Sequence, residues 1–151
     1  MRSGARMWGA AAGIVLFTLV SPVTEAVGKE IEYRGKSSQD RRVLLWTQPS
    51  GEFKFFSLKW RLNCESGRSR SASTGFAPPL DQVDRDSFRD AGRYAVRSKR
   101  RKYVFNVGVR GNQVSQRRWE GSFRGSIDVF DRGGGRVDRC SVERLRWLVK
   151  R

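Results

Sequence analysis

Two stretches of this chain alternate apolar and polar residues strictly, and that two-residue period dictates strands. From Lys54 to Cys64 the sequence reads KFFSLKWRLNC. Phe56, Leu58, Trp60, Leu62 and Cys64 fall on one side, and Phe55, Ser57, Lys59, Arg61 and Asn63 on the other. From Trp119 to Val129 a second such run sets Trp119, Gly121, Phe123, Gly125, Ile127 and Val129 against charged or small polar neighbours. Successive strand side chains point to opposite faces, so each run describes a strand with one buried face. Gly121 and Gly125 are expected to admit large side chains from a facing sheet or to mark bends.

Shorter strands are expected at Glu30–Arg34, Arg42–Gln48, Lys102–Arg110, Val137–Val142 and Arg144–Val149, with one more at Tyr94–Val96. Gln48-Pro49-Ser50-Gly51, Gly111-Asn112 and Asp131–Gly135 carry turn chemistry between them. Short connections of this kind favour antiparallel pairing. The sequence therefore predicts an all-β domain, a single antiparallel β-sandwich or flattened barrel of about seven to eight strands. Residues 66–94 have the poorest pattern, with SRSAST, Pro78-Pro79 and scattered Asp and Arg, and read as a long variable loop region.

Ahead of this domain, residues 1–26 have the three parts of a secretory signal peptide. Arg2 and Arg6 make a positive start, Met7–Val20 is an uncharged apolar run, and Pro22 precedes the small residues Thr24 and Ala26. The run is shorter than the ~20 residues that span a bilayer, which disfavours the competing reading of a retained anchor. The expected organisation is a signal peptide at 1–26, a β-domain at 27–151, and a secreted or extracytoplasmic location in the cell envelope. Membrane contact is then expected only through the signal peptide before cleavage.

Export gives the two cysteines a meaning, because oxidising compartments permit disulfides. Cys64 and Cys140 leave one intramolecular pairing, worth about 4–5 kcal/mol in the chain-entropy view for so long a loop. Two buried unpaired thiols are the competing reading. The stretches YRGKSSQDRRVLLW, FKFFSLKWRLNC, WEGSFRGSIDVF and DRCSVERLRWLVKR together resemble a group of small secreted bacterial β-sandwich domains of unassigned function. That resemblance implies the fold, the disulfide and export, and carries no functional residues.

Charge is the strongest functional signal. Lys and Arg number 31 against 15 Asp and Glu, a formal net charge of +16. Such a field draws polyanions and speeds their association. Expected outward cations are Lys59, Arg61, Arg118, Arg124, Arg144 and Arg146, with Phe53 and Phe55 as an aromatic platform beside the first two. Arginine grips phosphate or carboxylate through two parallel hydrogen bonds.

Enzyme chemistry finds little support. Histidine is absent, which removes the usual general base and the commonest metal ligand. Glu30 with Glu32, and Asp81, Asp84, Asp86 and Asp90, are the candidate carboxylate groupings for acid–base or calcium work. The aspartates lack the glycine and terminal glutamate of a calcium loop. No metal site, cofactor or catalytic residue is expected. The leading reading is a secreted non-catalytic binding domain for an anionic polysaccharide or wall polymer. The alternatives are an interaction protein, an inhibitor or assembly partner, that meets a protein partner through the 66–90 loop, and a nucleic-acid binder.

Overall fold

The computed structural model describes residues 28–151, so the expected signal peptide lies outside the described residues. Nine strands follow in order: β1 (Ile31–Ser37), β2 (Arg42–Thr47), β3 (Phe53–Cys64), β4 (Ser69–Phe76), β5 (Gln82–Asp84), β6 (Ser87–Arg97), β7 (Lys102–Ser115), β8 (Arg118–Phe130) and β9 (Arg136–Lys150). Among the described residues there is no helix. The strands form one antiparallel sheet in the order β4-β3-β2-β1-β9-β8-β7-β6-β5.

One extra pairing shapes this sheet. β3 and β9 pair as neighbouring strands only at Asn63–Ser141 and Cys64–Cys140. The two cysteines are bonded to each other across that rung. Away from it the strands diverge, and the β1–β2 hairpin fills the gap between them. The hairpin turn seals the narrow end with side chains. The Gln39 amide donates to the Arg61 carbonyl at 2.9 Å and accepts from the Arg61 N–H at 2.7 Å, as a strand residue would. On the opposite side Ser38 bonds the Arg146 backbone through its own N–H and its hydroxyl. Asp40 completes the turn in the left-handed region, which Asp tolerates better than most residues.

The alternation in β3 and β8 has the expected cause: their apolar rows meet in the core. Trp60 of β3 is buried and lies 4.9 Å from the Phe123 ring of β8, edge to face. Gly125 provides the room, since a Cβ there would stand 2.5 Å from the Trp60 ring. Gly121 serves a neighbour within the sheet instead. Phe88, Gly111, Gly121 and Trp147 form one inward row across β6, β7, β8 and β9. The two glycines let Phe88 and Trp147 lie over the sheet and stack at 6.1 Å. Phe56 joins them at 4.8 Å from Trp147. Each such buried ring contributes roughly 1.5–3 kcal/mol of hydrophobic stabilisation.

Four expectations need correction. Residues 66–94 are largely strand. Ser69–Phe76 pairs with β3 along its length, and its inward Thr74 accepts the Trp60 indole N–H at 3.1 Å. Ser, Ala and Gly dilute its hydrophobic signal, although the two-residue period is present. β6 extends well beyond the expected Tyr94–Val96, and its outward row is charged. Gly111-Asn112 is not a turn but the middle of β7, because Gly111 there receives Phe88 and Trp147. Finally, the expected strands Val137–Val142 and Arg144–Val149 are one strand, so Cys140 lies on the last strand. The break in period between them is a bulge: Phe123 faces Leu145 while Gly125 faces Val142.

The sheet ends at β4 and β5. β5 covers only Ser87–Arg89, leaving the rest of β6 with no strand on its second edge.

Four substitutions test this construction. Gly125→Ala should cost about 1–3 kcal/mol in chemical denaturation, as overpacking against Trp60 demands. Gly92→Ala, where a Cβ meets open space, should cost nothing. Gln39→Ala should lower stability by about 0.5–1.5 kcal/mol through the lost Arg61 bonds. Gln39→Asn, one methylene shorter, should not restore it.

Candidate anion-binding face

The outward residues of β6 to β9 assemble arginines that are distant in sequence. Arg89 and Arg110 are direct cross-strand partners, and the same row continues through Ser122 to Arg146. The next row runs from Ala91 through Gly108 to Arg124 and the bulge of β9. The bulge explains why two charged residues come together there. Val142 and Leu145 both turn toward the core, so Glu143 and Arg144 between them both face solvent. A bulge re-aims side chains in this way at the expense of one ladder position.

The result is a shallow groove of about 270 Å³ lined by Arg89, Arg110, Arg124 and Arg144 with Ser122 and Glu143. A second depression of about 660 Å³ adjoins it and adds Arg146, together with Lys36, which is paired with Asp40, and Glu120, which is paired with Arg118. Among the described residues, none of the five lining arginines makes an ion pair within 4 Å. Like charges placed directly opposite on a sheet destabilise it slightly. An anion seated between Arg89 and Arg110 removes that repulsion.

The expected cations divide into groups. Arg124 and Arg144 meet in the groove, and Arg146 stands beside it. Lys59 and Arg61 lie on the outer side of β3, opposite Ser73 and Ser71 of β4. Arg118 is half-exposed and held by Glu120 at 3.0 Å. The aromatic platform requires correction. The rung Trp46–Phe55 is followed by Thr47–Phe53, a bulge that turns Phe53 inward. Phe53 is 4% exposed and packs 4.5 Å from the Phe88 ring. Phe55 stays on the outer face, half-buried against Trp46 at 5.7 Å and over Gly75.

Several cationic positions were not among those expected. Arg89, Arg93 and Arg97 recur every fourth residue on β6 and share its outward side. The run Arg97–Lys102, RSKRRK, forms the β6–β7 turn. Its density of Lys and Arg is itself a recognised polyanion signal. The weak apolar pattern of residues 66–94 gives no alternation from which an outward side could be assigned to Arg89 and Arg93.

Of the grouped carboxylates, all but Asp86 have partners for their side chains. Glu30 pairs with Lys54 and Glu32 with Arg34. The Arg34 guanidinium holds the Glu32 carboxyl below its usual range. Asp81 accepts the Ala91 N–H, Asp90 accepts the Asp81 N–H, and Asp84 accepts from Gln82 and Ser87. These aspartates tie β5 and its approach to β6. Asp138 lies within 4.8 Å of both sulfurs, but those sulfurs are spent on each other and offer no thiolate. Its carboxylate accepts the Ser66 hydroxyl at 2.8 Å and the backbone N–H groups of Ser66 and Arg139. The Ser66 hydroxyl bond is the main reason its pKa is lowered.

Comparison of the chain with protein-family models, curated proteins and solved structures returns no match.

Asp138 yields a pH prediction. A carboxyl with a depressed folded-state pKa adds stability above its unfolded value, near 3.9, and loses it as pH falls through the folded value. Asp138→Asn should therefore melt below the parent at neutral pH. The difference should close as the pH is taken below the ordinary carboxylate range in a series of thermal melts. A gap that persists unchanged in strong acid would show that the carboxylate charge is not what holds Ser66.

Proposed function

We propose that this chain is a non-catalytic binding domain for anionic polymers of the cell envelope. The observation that carries the reading is the meeting of Arg89, Arg110, Arg124, Arg144 and Arg146 on adjoining rows without carboxylate partners. Five forked cations on a rigid sheet present many donors and little that could perform bond chemistry. The rows are held by backbone ladders, so the spacing of the arginine Cα positions is fixed before binding, and only the side chains have to be ordered by the ligand. Location outside the cytoplasm rests on the N-terminal sequence, and a Cys64–Cys140 disulfide is compatible with it. Whether the scaffold is best termed a sandwich or a flattened barrel does not change this reading, since the arginines lie on one continuous outer face.

The interaction reading that relied on a loop at residues 66–90 is weakened, because much of that segment is committed to β4 and to the start of β6. Nucleic-acid binding shares the electrostatics, and sequence-specific binding would add base contacts.

The test is retention on isolated cell wall, and on an immobilised wall polymer, across a salt series. Binding should weaken steeply with salt, and each arginine removed from a phosphate contact should lower the log–log slope by about one. Arg124→Glu with Arg144→Glu should abolish retention while the fold persists by circular dichroism. Retention no greater than that of an unrelated protein of equal charge would refute the proposal.

A further inference from the structure

The cationic face does not stop at the groove. Above it lies a shallow saddle whose polar lining is Arg93, Asn106, Ser126 and Ser141, with Arg124 and Glu143 at the border it shares with the groove. The next row holds Ala95, Val104, Asp128 and Arg139. Asp128 does not interrupt the positive field, because Arg136 at 3.6 Å and Arg139 at 3.7 Å neutralise it. At the far end the β6–β7 and β8–β9 turns meet, tied by the Arg132 guanidinium donating to the Lys99 carbonyl at 2.9 and 2.8 Å. Between them is a cleft of about 450 Å³ walled by Arg97, Arg100, Arg101, Lys102 and Arg132, with Phe130 beneath. Among the described residues that line it the one acid is Asp131, whose carboxylate accepts the Gly135 N–H at 2.9 Å.

Two cation clusters thus stand along the same four strands, the groove near the middle of β7, β8 and β9 and the cleft at their β6–β7 and β8–β9 turn end. From Arg89 to Arg97 the separation is about 27 Å, at about 3.4 Å per strand residue. The surface between them is low: Ala91, Gly108 and Ala95 leave the backbone close to the surface, and Asn106 and Ser126 add an amide and a hydroxyl.

Resting on the polyanion reading above, we propose that the ligand is one extended phosphodiester-linked polyol or sugar chain. It lies along the strands and is gripped by arginines at the groove and again at the turn cleft. The ends supply charge for phosphates. The hydroxyl and amide groups of the saddle suit the hydroxylated units between phosphates. A single-stranded nucleic acid is disfavoured by the same surface. Stacking platforms for bases need exposed aromatic faces, and the saddle residues between the two clusters offer none.

The experiment compares glycerol-phosphate oligomers shorter and longer than the Arg89–Arg97 span, by calorimetry on the oxidised protein. Two linked contacts convert the second into an intramolecular event, so the longer oligomer should bind at least about tenfold tighter. Arg100→Glu with Arg101→Glu, both exposed at a turn, should erase that gain and leave short-oligomer affinity intact. Arg89→Glu with Arg110→Glu should abolish binding of the short oligomer.

Equal affinity for both lengths would overturn the spanning chain while leaving the polyanion reading standing. Binding by neither would sink that reading as well. Polygalacturonate of matched length binding as tightly as the phosphate chain would overturn the choice of phosphodiester. Oligodeoxythymidylate binding more tightly than glycerol phosphate would overturn the choice of polyol. Phosphatidylglycerol vesicles captured without any length effect in solution would move the site to a lipid surface and overturn the proposal.

Discussion

β3 and β9 lie far apart in sequence, and a covalent bond holds them together at a single rung. Cys64 and Cys140 are separated by 76 residues, and in the entropic account a bond across so long a loop restricts the unfolded chain substantially. In the folded chain it fixes the point from which the two strands diverge. The width of that divergence is what the β1–β2 hairpin must fill, and Ser38 and Gln39 do so with hydrogen bonds that imitate a ladder. The position of β9 then determines everything on its other side. β8, β7 and β6 pair outward from it in turn, so the placement of the arginine rows depends on where the disulfide anchors that strand.

Much of this was legible in the sequence. β3 and β8 declare themselves by strict alternation, because one face of each is buried and the other wet. The cysteine pairing follows from there being only two. What escaped has physical causes. β4 alternates with serine and alanine, so its period carries little hydrophobic contrast. Gly111 and Asn112 have the composition of a turn, yet the glycine there is a space for Phe88 and Trp147. The interrupted period at Glu143 looked like a strand ending, whereas it is a bulge within β9. Phe53 was misplaced for the same reason, since a bulge beside it reverses inside and outside. Single-residue irregularities cannot be located from alternation alone, because each one exchanges the two faces for every residue beyond it. The candidate site was only partly legible. Arg124, Arg144 and Arg146 follow from the alternation, but their company with Arg89 and Arg110 depends on strand pairing.

The two faces of the β6–β9 region divide their work. Inward rows carry the rings, and outward rows carry the arginines. Cohesion is neutral and dispersive, so it is insensitive to salt, while the outer face responds to ionic strength over about 8–10 Å under physiological conditions. The charges can therefore be changed with little disturbance to the core beneath them. This separation is also why so cationic a chain can form a compact sheet: the like charges are spread over a solvated surface rather than gathered in the interior.

One edge of the sheet gives this arrangement another consequence. Beyond Arg89, β6 has backbone donors and acceptors with no neighbouring strand, an arrangement that invites a second molecule to add on. Arg93 and Arg97 sit along that rim and make any approaching copy meet its own charge. Guarding against self-association and gripping a ligand thus fall to the same residues, and any change that strips the rim of charge weakens both at once.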